Sequence, residues 1–345
     1  MRITLCHPGA SWAVHDVHTG LLAGLRGLGH TVEEYALSGR LHASRVMLEY
    51  LWRKQVRHAG PLAGVRPTAA DVQYHASEGL LERALRFEAE WVIVVCAAYL
   101  HPDVLILARR AGLPLAAVFT ESPYDDAEQA KVAPLFDVVF TNERASVDRL
   151  RAANPLTFYL PAGYDPTAHG PDAAAPEGRV RAHDVVFVGT GFSSREQFLA
   201  CVDWEGIDVG LYGSWGQVTA GHPLAPYVHD GLVDNARAGA LYRAARIGLN
   251  LYQGTGGEKA ESLNPRAYEL AADGVFTLSQ PRAEVHEKFD GRVPTFTEPE
   301  ELSALVRGYL GQPRTRAGMG ASLPRRVRQD TYHHRAAELV ASLPS

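Results

Sequence analysis

The chain has 345 residues, of which 46% are apolar and 21% charged, with a formal net charge of −5. That balance excludes an intrinsically disordered chain. No run approaches the roughly 18 consecutive apolar residues that a membrane span needs. At roughly 100–200 residues per domain, the length predicts two domains. Cys6, Cys96 and Cys201 lie far apart, and two of them sit in apolar runs. They read as buried, reduced thiols of a cytoplasmic protein rather than a disulfide framework. The amino terminus shows neither the long apolar stretch nor the small-residue cleavage site of a secretory signal. Mild acidity argues against non-specific nucleic-acid binding but leaves room for a local basic face.

Strands and helices alternate in chain order, which predicts parallel sheets covered by helices. Ile3–Cys6 reads as a strand. After a loop, Val17, Leu21, Leu25 and Leu28 recur at helical spacing, with Gly29 as a stop. Thr31–Tyr35 is the next strand, and residues 39–88 look mostly helical. Trp91–Cys96, Leu115–Phe119, Val138–Phe140 and Thr157–Leu160 are further strands, with Pro102 opening a helix between the first two. The stretch 161–182 is rich in Pro, Ala, Gly and Asp and lacks apolar periodicity, so it reads as a linker. The alternation then restarts. Strands are expected over Val185–Val188, Val209–Tyr212, Ile247–Leu251 and Val275–Leu278. Helices are expected over Ala238–Ala245, from Pro265 to Gly274, and along the tail from 326 to 343. Thr297 and Glu300 are spaced as a capping box.

The densest chemical signal lies in 247–274. Asn264 is a good helix cap and Pro265 suits the first helical position. Such a helix start presents amides and a positive dipole end, an anion site. Glycines at 254, 256 and 257 allow close approach of a phosphate, and Lys259 and Arg266 add positive charge. Glu269 sits one turn further on, where its carboxylate suits a ribose diol. Glu261 and Glu269 have seven residues between them. The plainer readings are surface carboxylates and an i, i+3 pair of Arg266 with Glu269, a contact worth little. Gly189-Thr190-Gly191 has Ser194 where a dinucleotide fingerprint has its third glycine, which makes it a weak cofactor motif. His15 and His18 have ligand spacing, but no third ligand is apparent and no metal is expected. Arg40, Arg45, Arg53, Lys54, Arg57 and Arg66 face one acid, Glu49, with Tyr50 and Trp52 interleaved. This segment is either a solvated helix face or a groove for an acidic acceptor.

The spacing of Glu261 and Glu269 beside a helix start is similar to that of retaining group 1 glycosyltransferases. More closely, LYRAARIGLNLYQ (241–253) followed by SLNPRAYELAADGVF (262–276) resembles the CgeB-like, spore-maturation-type glycosyltransferases. VVFVGTGFSSRE (185–196), ESPYDD (121–126), FDVVFTNE (136–143), YLPAGYDP (159–166), EELSALVRGYL (300–310) and TYHHR (331–335) agree with that resemblance, which covers roughly residues 90–340. The resemblance implies a GT-B fold: α/β, with two Rossmann-like domains facing each other across a cleft. The divisions expected are an acceptor domain over 1–165, a linker over 166–182, a nucleotide-sugar domain over 183–325, and a helix over 326–345 crossing back.

It also implies residue roles. Glu269 would bind the donor ribose, and Glu261 the donor sugar or its phosphates. Arg195 and Lys259 would neutralise the diphosphate, and Asn264 and Arg266 would shape its site. Gly189 and Gly191 would allow close approach, and Tyr227–Gly231 would lie near the nucleobase. Apart from the resemblance, an inverting enzyme would need a base near the acceptor hydroxyl, for which His15, Asp16, Glu121 and Asp125 in predicted loops are candidates, and the basic segment offers Arg53, Lys54 and Arg57 as acceptor contacts. The expected activity is transfer of a hexosyl or pentosyl group from a nucleotide sugar, with neither metal nor cofactor. The acceptor is a small molecule, a glycan or a nucleic acid, a modified base in DNA among the candidates. The competing readings are a nicotinamide-dependent oxidoreductase and a non-catalytic sugar-nucleotide-binding module.

Overall fold

The computed structural model describes residues 1–9, 14–59, 64–173, 178–229, 231, 233–254 and 260–344. It divides into two compact units, Met1–Pro161 with Arg335–Ser345, and Ala162–His334.

In the first unit the described residues form a six-stranded parallel sheet. Its strands are β1 (Arg2–His7), β2 (Thr31–Ala36), β3 (Trp91–Val95), β4 (Leu115–Phe119), β5 (Val138–Thr141) and β6 (Thr157–Tyr159), in the order β2-β1-β3-β4-β5-β6. All five residues of β3 are buried, as are all of β4. A central strand covered on both faces reads as a continuous apolar run. The edge strand β2 instead buries Val32 and Tyr35 and exposes Thr31, Glu34 and Ala36. Residues 39–88 resolve into the helices Leu37–Ala59, Ala69–Ser77 and Gly79–Arg86. A helix over Asp126–Val132 follows the loop after β4.

The second unit carries β7 (Val185–Val188), β8 (Val209–Tyr212), β9 (Ile247–Asn250) and β10 (Thr277–Ser279), in the order β10-β9-β7-β8. All pairings are parallel. From β7 the chain adds β8 on one side, then returns to add β9 and β10 on the other. The order therefore reverses between β7 and β9, and open α/β sheets bind ligands beyond the strand ends at such a point. Phe187, Leu211, Leu249 and Leu278 centre the core on one face, with Leu302 and Val306 of the Pro299–Leu310 helix packed into it.

Three local expectations change. Cys6 and Cys96 are buried, but Cys201 is exposed, because it stands at the end of the Ser193–Ala200 helix. Within 166–182, the residues Ala168–Gly170 pack into the second unit: the His169 ring is buried against Asp273 at 2.8 Å. A composition poor in apolar residues hid this because its anchor is a charged hydrogen bond. At the start of the Pro299–Leu310 helix the carboxylate that caps is Glu301, not Glu300. It accepts from the Thr297 amide at 2.8 Å and the Thr297 hydroxyl at 2.9 Å. Glu298 is the N-cap, which puts the third helical position one residue later than the sequence suggests.

Candidate functional site

The β7–β9 reversal of the second unit is spanned by two guanidinium groups. Arg266 leaves the first turn of the Pro265–Ala272 helix. It donates from Nε to the Val188 carbonyl at 2.7 Å and from Nη1 to the Leu251 carbonyl at 3.1 Å. Arg195 comes from the Ser193–Ala200 helix. It donates to Thr190 at 2.8 Å, to Leu251 at 3.1 Å and to Tyr252 at 3.2 Å. The carbonyls at the ends of β7 and β9 have no sheet partner beyond the strand, and the planar fork of arginine satisfies several at once. The Phe187 ring lies below both, 4.4 Å from the Arg266 guanidinium carbon and 5.5 Å from that of Arg195. Two positive charges are thereby fixed at one crevice. The expected Arg266–Glu269 surface pair is replaced by these clamps, because the carbonyl ends are closer to hand than a side chain one turn on.

Gly189 is explained by the Arg266 clamp and Gly191 by the Trp215 ring. A Cβ at Gly189 would come within 2.2 Å of Arg266, and one at Gly191 within 2.4 Å of the Trp215 ring. Both glycines thus have protein atoms where a Cβ would stand. Gly213 at the end of β8 completes the packing, with φ of +107° and Gly189 carbonyl oxygen 2.5 Å from where its Cβ would stand.

Asn264 caps the Pro265–Ala272 helix, its Oδ1 accepting from the Ala267 amide at 3.1 Å. Glu269 is buried on this helix, at 7% exposure, and its carboxylate accepts no hydrogen bond from the described residues. Burial raises its pKa; the nearby cations His169 and Arg266 oppose that. Beneath it lies a charge cluster that the sequence did not announce. Asp273 accepts from the His169 ring at 2.8 Å, the Gly170 amide at 2.9 Å and Arg243 at 2.5 Å. Burial disfavours charge on His169, but the Asp273 bond and the Glu269 carboxylate outweigh it and push the pKa up to about 9. An isolated histidine in a Gly/Pro/Ala stretch carries no periodic signal, so only the fold reveals it.

Glu261 precedes this helix, and its carbonyl accepts from the Glu284 amide at 3.0 Å. Tyr227 ends a short helical turn and packs on the core. Gly231, at φ +108°, has open space where a Cβ would stand. Lys259, with Gly256 and Gly257, lies outside the described residues.

In the first unit the remaining candidates gather at the carboxyl edge of the sheet, in two groups. His15 begins the His15–Gly27 helix, with Asp16 beside it in the first turn. Its Nδ1 lies 3.4 Å from His18 Nε2, and His18 stacks on His7 at the end of β1, with ring centroids 3.9 Å apart. Burial, with His7 and His15 alongside, pushes the His18 pKa down to about 3. The sequence missed His7 because it sits inside a strand. Among the described residues, no three His, Cys, Asp or Glu side chains form a group that could hold a metal ion. The second group follows β3 and β4. Glu121 Oε1 lies 4.0 Å from Cys96 Sγ and 3.4 Å from the Thr120 hydroxyl, and the Asp125 amide donates to the Glu121 carbonyl at 3.1 Å. Burial, with Asp125 adding to it, raises the Glu121 pKa. Arg53, Lys54 and Arg57 are apart from both groups, exposed on the Leu37–Ala59 helix.

Residues 195–341 match the family model described as glycosyl transferase-like. No curated protein matches the chain. Among solved structures, HepE of Anabaena in complex with UDP-glucose superposes with a TM-score of 0.66 at 14% identity, covering 99% of this chain and 100% of that one. E. coli trehalose-6-phosphate synthase bound with UDP-2-fluoro glucose gives 0.61 at 12% identity, covering 99% and 98%. SnogD from Streptomyces nogalater gives 0.50 at 17%, covering 99% of each. Likeness at such identities speaks for the fold. With its two parallel sheets the chain has the α/β fold of the GT-B glycosyltransferases, and over residues 195–341 it is similar to the glycosyl transferase-like family.

Proposed function

We propose that the protein is a glycosyltransferase that moves a sugar from a nucleoside-diphosphate donor to an acceptor hydroxyl. The observation that carries this reading is the crevice beyond β7 and β9, where Arg195, Arg266 and the Asn264-capped helix start lie beside the buried carboxylate of Glu269. The glycosyl transferase-like match over 195–341 and the two UDP-sugar complexes among its structural neighbours support it.

In the reaction, the bond between the anomeric carbon and the diphosphate breaks while a bond from the acceptor oxygen forms. The leaving diphosphate takes the electron pair. Fixed cations and a helix dipole stabilise that charge without reorganising, which is where preorganised electrostatics contributes most. This reading needs no metal at the diphosphate. Glu269 takes the ribose diol, as a carboxylate with unfilled acceptor sites would, and Glu261 the sugar end. Tyr227 and Gly231 belong to the nucleobase side. An inverting outcome would need a base for the acceptor proton, and Glu121 and Asp125, or His15 and Asp16, are the candidates for it. Membership of the CgeB-like group, the retaining outcome and a modified DNA base as acceptor form the finer part of the proposal.

The test is a thermal-shift screen with UDP, GDP, ADP, TDP and NADH. Ligand at about a thousand times its dissociation constant adds about 4 kcal/mol of stability. A shift with one nucleoside diphosphate and none with NADH is expected. A shift with NADH alone overturns the reading. Glu269→Ala is expected to abolish the diphosphate shift while leaving the circular dichroism spectrum unchanged. Wild-type donor affinity in that variant removes Glu269 from the site.

A further inference from the structure

The Leu37–Ala59 helix has 23 residues, about 35 Å at about 1.5 Å per residue. One stripe faces the protein. Leu41, Ser44, Leu48 and Trp52 are buried or half-buried, with the Ser44 hydroxyl 3.0 Å from His75 and the Trp52 indole donating to the Gly64 carbonyl at 3.0 Å. The stripe beside it is apolar and exposed. Val46 is 55% exposed, Met47 38%, Tyr50 63% and Leu51 45%. At about 100° per residue these four fall within one arc of the helix, and Lys54, Arg57 and His58 continue the same arc one turn on. All three are exposed. Arg53 pairs with Glu49 at 3.4 Å, but Lys54 and Arg57 form no ion pair among the described residues.

We propose that this face docks on an anionic lipid surface. Isolated exposed apolar residues need no explanation, whereas a contiguous stripe with adjoining cations does. Apolar side chains spread over about one and a half turns suit acyl chains at the headgroup boundary, and the cations suit acidic headgroups. A nucleic-acid strand would call for several stacking rings between the cations, and of the four exposed apolar residues only Tyr50 is a ring. A second copy would set like charges against each other, since a two-fold interface repeats the same patch on both sides. The chain as a whole is acidic, at −5, so the attraction is local to this helix. The proposal is independent of the donor-site reading.

The experiment is co-sedimentation of the full chain with phosphatidylcholine vesicles, with and without about one-third phosphatidylserine. Binding is expected to the anionic vesicles only and to weaken as salt is raised. Lys54→Gln with Arg57→Gln is expected to weaken it roughly thirtyfold, at about fivefold per cation. Tyr50→Ser with Leu51→Ser is expected to weaken it about tenfold or more through lost apolar burial. All four positions are exposed, and unchanged circular dichroism checks that both variants fold. Absence of binding to anionic vesicles overturns the proposal. So does unchanged binding in either double variant. Salt-sensitive binding to an oligonucleotide with none to vesicles overturns it in favour of a nucleic-acid face.

Discussion

His169 and His18 are both buried imidazoles, yet their surroundings drive them in opposite directions. His169 faces two carboxylates and holds its proton up to about pH 9, against an ordinary value of 6.5. A histidine raised in the folded state contributes stability that is complete below pH 6.5 and is lost as pH climbs through 9. The expected contribution is at most on the order of 3 kcal/mol. Urea unfolding of wild type at pH 6 and 9.5 should show the loss, and His169→Gln should flatten it. A wild-type curve as flat as the variant's would mean the Asp273 bond does not hold the proton. His18, by contrast, is pushed down to about 3 by burial and by the neighbouring His7 and His15 rings. The unfolded chain takes up that proton first, so stability falls as pH drops below 6.5. Replacing His18 with Phe should remove part of that acid sensitivity, read as a smaller change in the urea midpoint between pH 6.5 and 4.5.

Loops at strand ends carry the next level of constraint. Gly189, Gly191 and Gly213 follow β7 and β8, and the volume each lacks is occupied by Arg266, Trp215 or the Gly189 backbone. Gly191→Ala should cost about 1–3 kcal/mol, since the Trp215 ring must move within a packed core. Gly216→Ala, with nothing within 4 Å of the added carbon, should stay within about 0.5 kcal/mol. Equal midpoints for the two in urea unfolding would show that the crevice accommodates a Cβ. The Pro265–Ala272 helix shows the same logic from the polar side. Its cap, its proline and its arginine each satisfy or avoid a backbone group at the crevice. The helix start is therefore held rigidly enough to present charge in a fixed place.

The two units differ in how the chain closes them. Arg335–Ser345 belongs to the first unit although the whole of Ala162–His334 separates it in the chain from Met1–Pro161. Within the Tyr332–Ala341 helix, Ala336 and Leu339 are fully buried. Leu339→Ala should cost about 2–5 kcal/mol. Hydrogen exchange locates the loss: amides of β1, β3 and β4 should exchange faster, while those of β7 and β9 stay protected. Faster exchange confined to the second unit would contradict the assignment of this segment.

Much of this was written locally. Continuous apolar runs such as Trp91–Val95 and Leu115–Phe119 marked buried parallel strands, and Asn264-Pro265 marked a helix start within one residue. Hydrophobic period and cap chemistry act over a few neighbours, so they are visible without a fold. The likeness to glycosyltransferases rested on such short runs too. The contacts that make the crevice are of another kind. Arg266 reaches carbonyls 78 and 15 residues away, and His169 meets Asp273 at a separation of 104. No local pattern encodes a hydrogen bond between distant segments. The charge on Glu269 likewise depends on burial that exists only after the sheet and its helices assemble. Sequence alone determined which elements form and which residue types stand at strand ends; the tertiary structure decided which of those charges face one another and which are tied to the backbone.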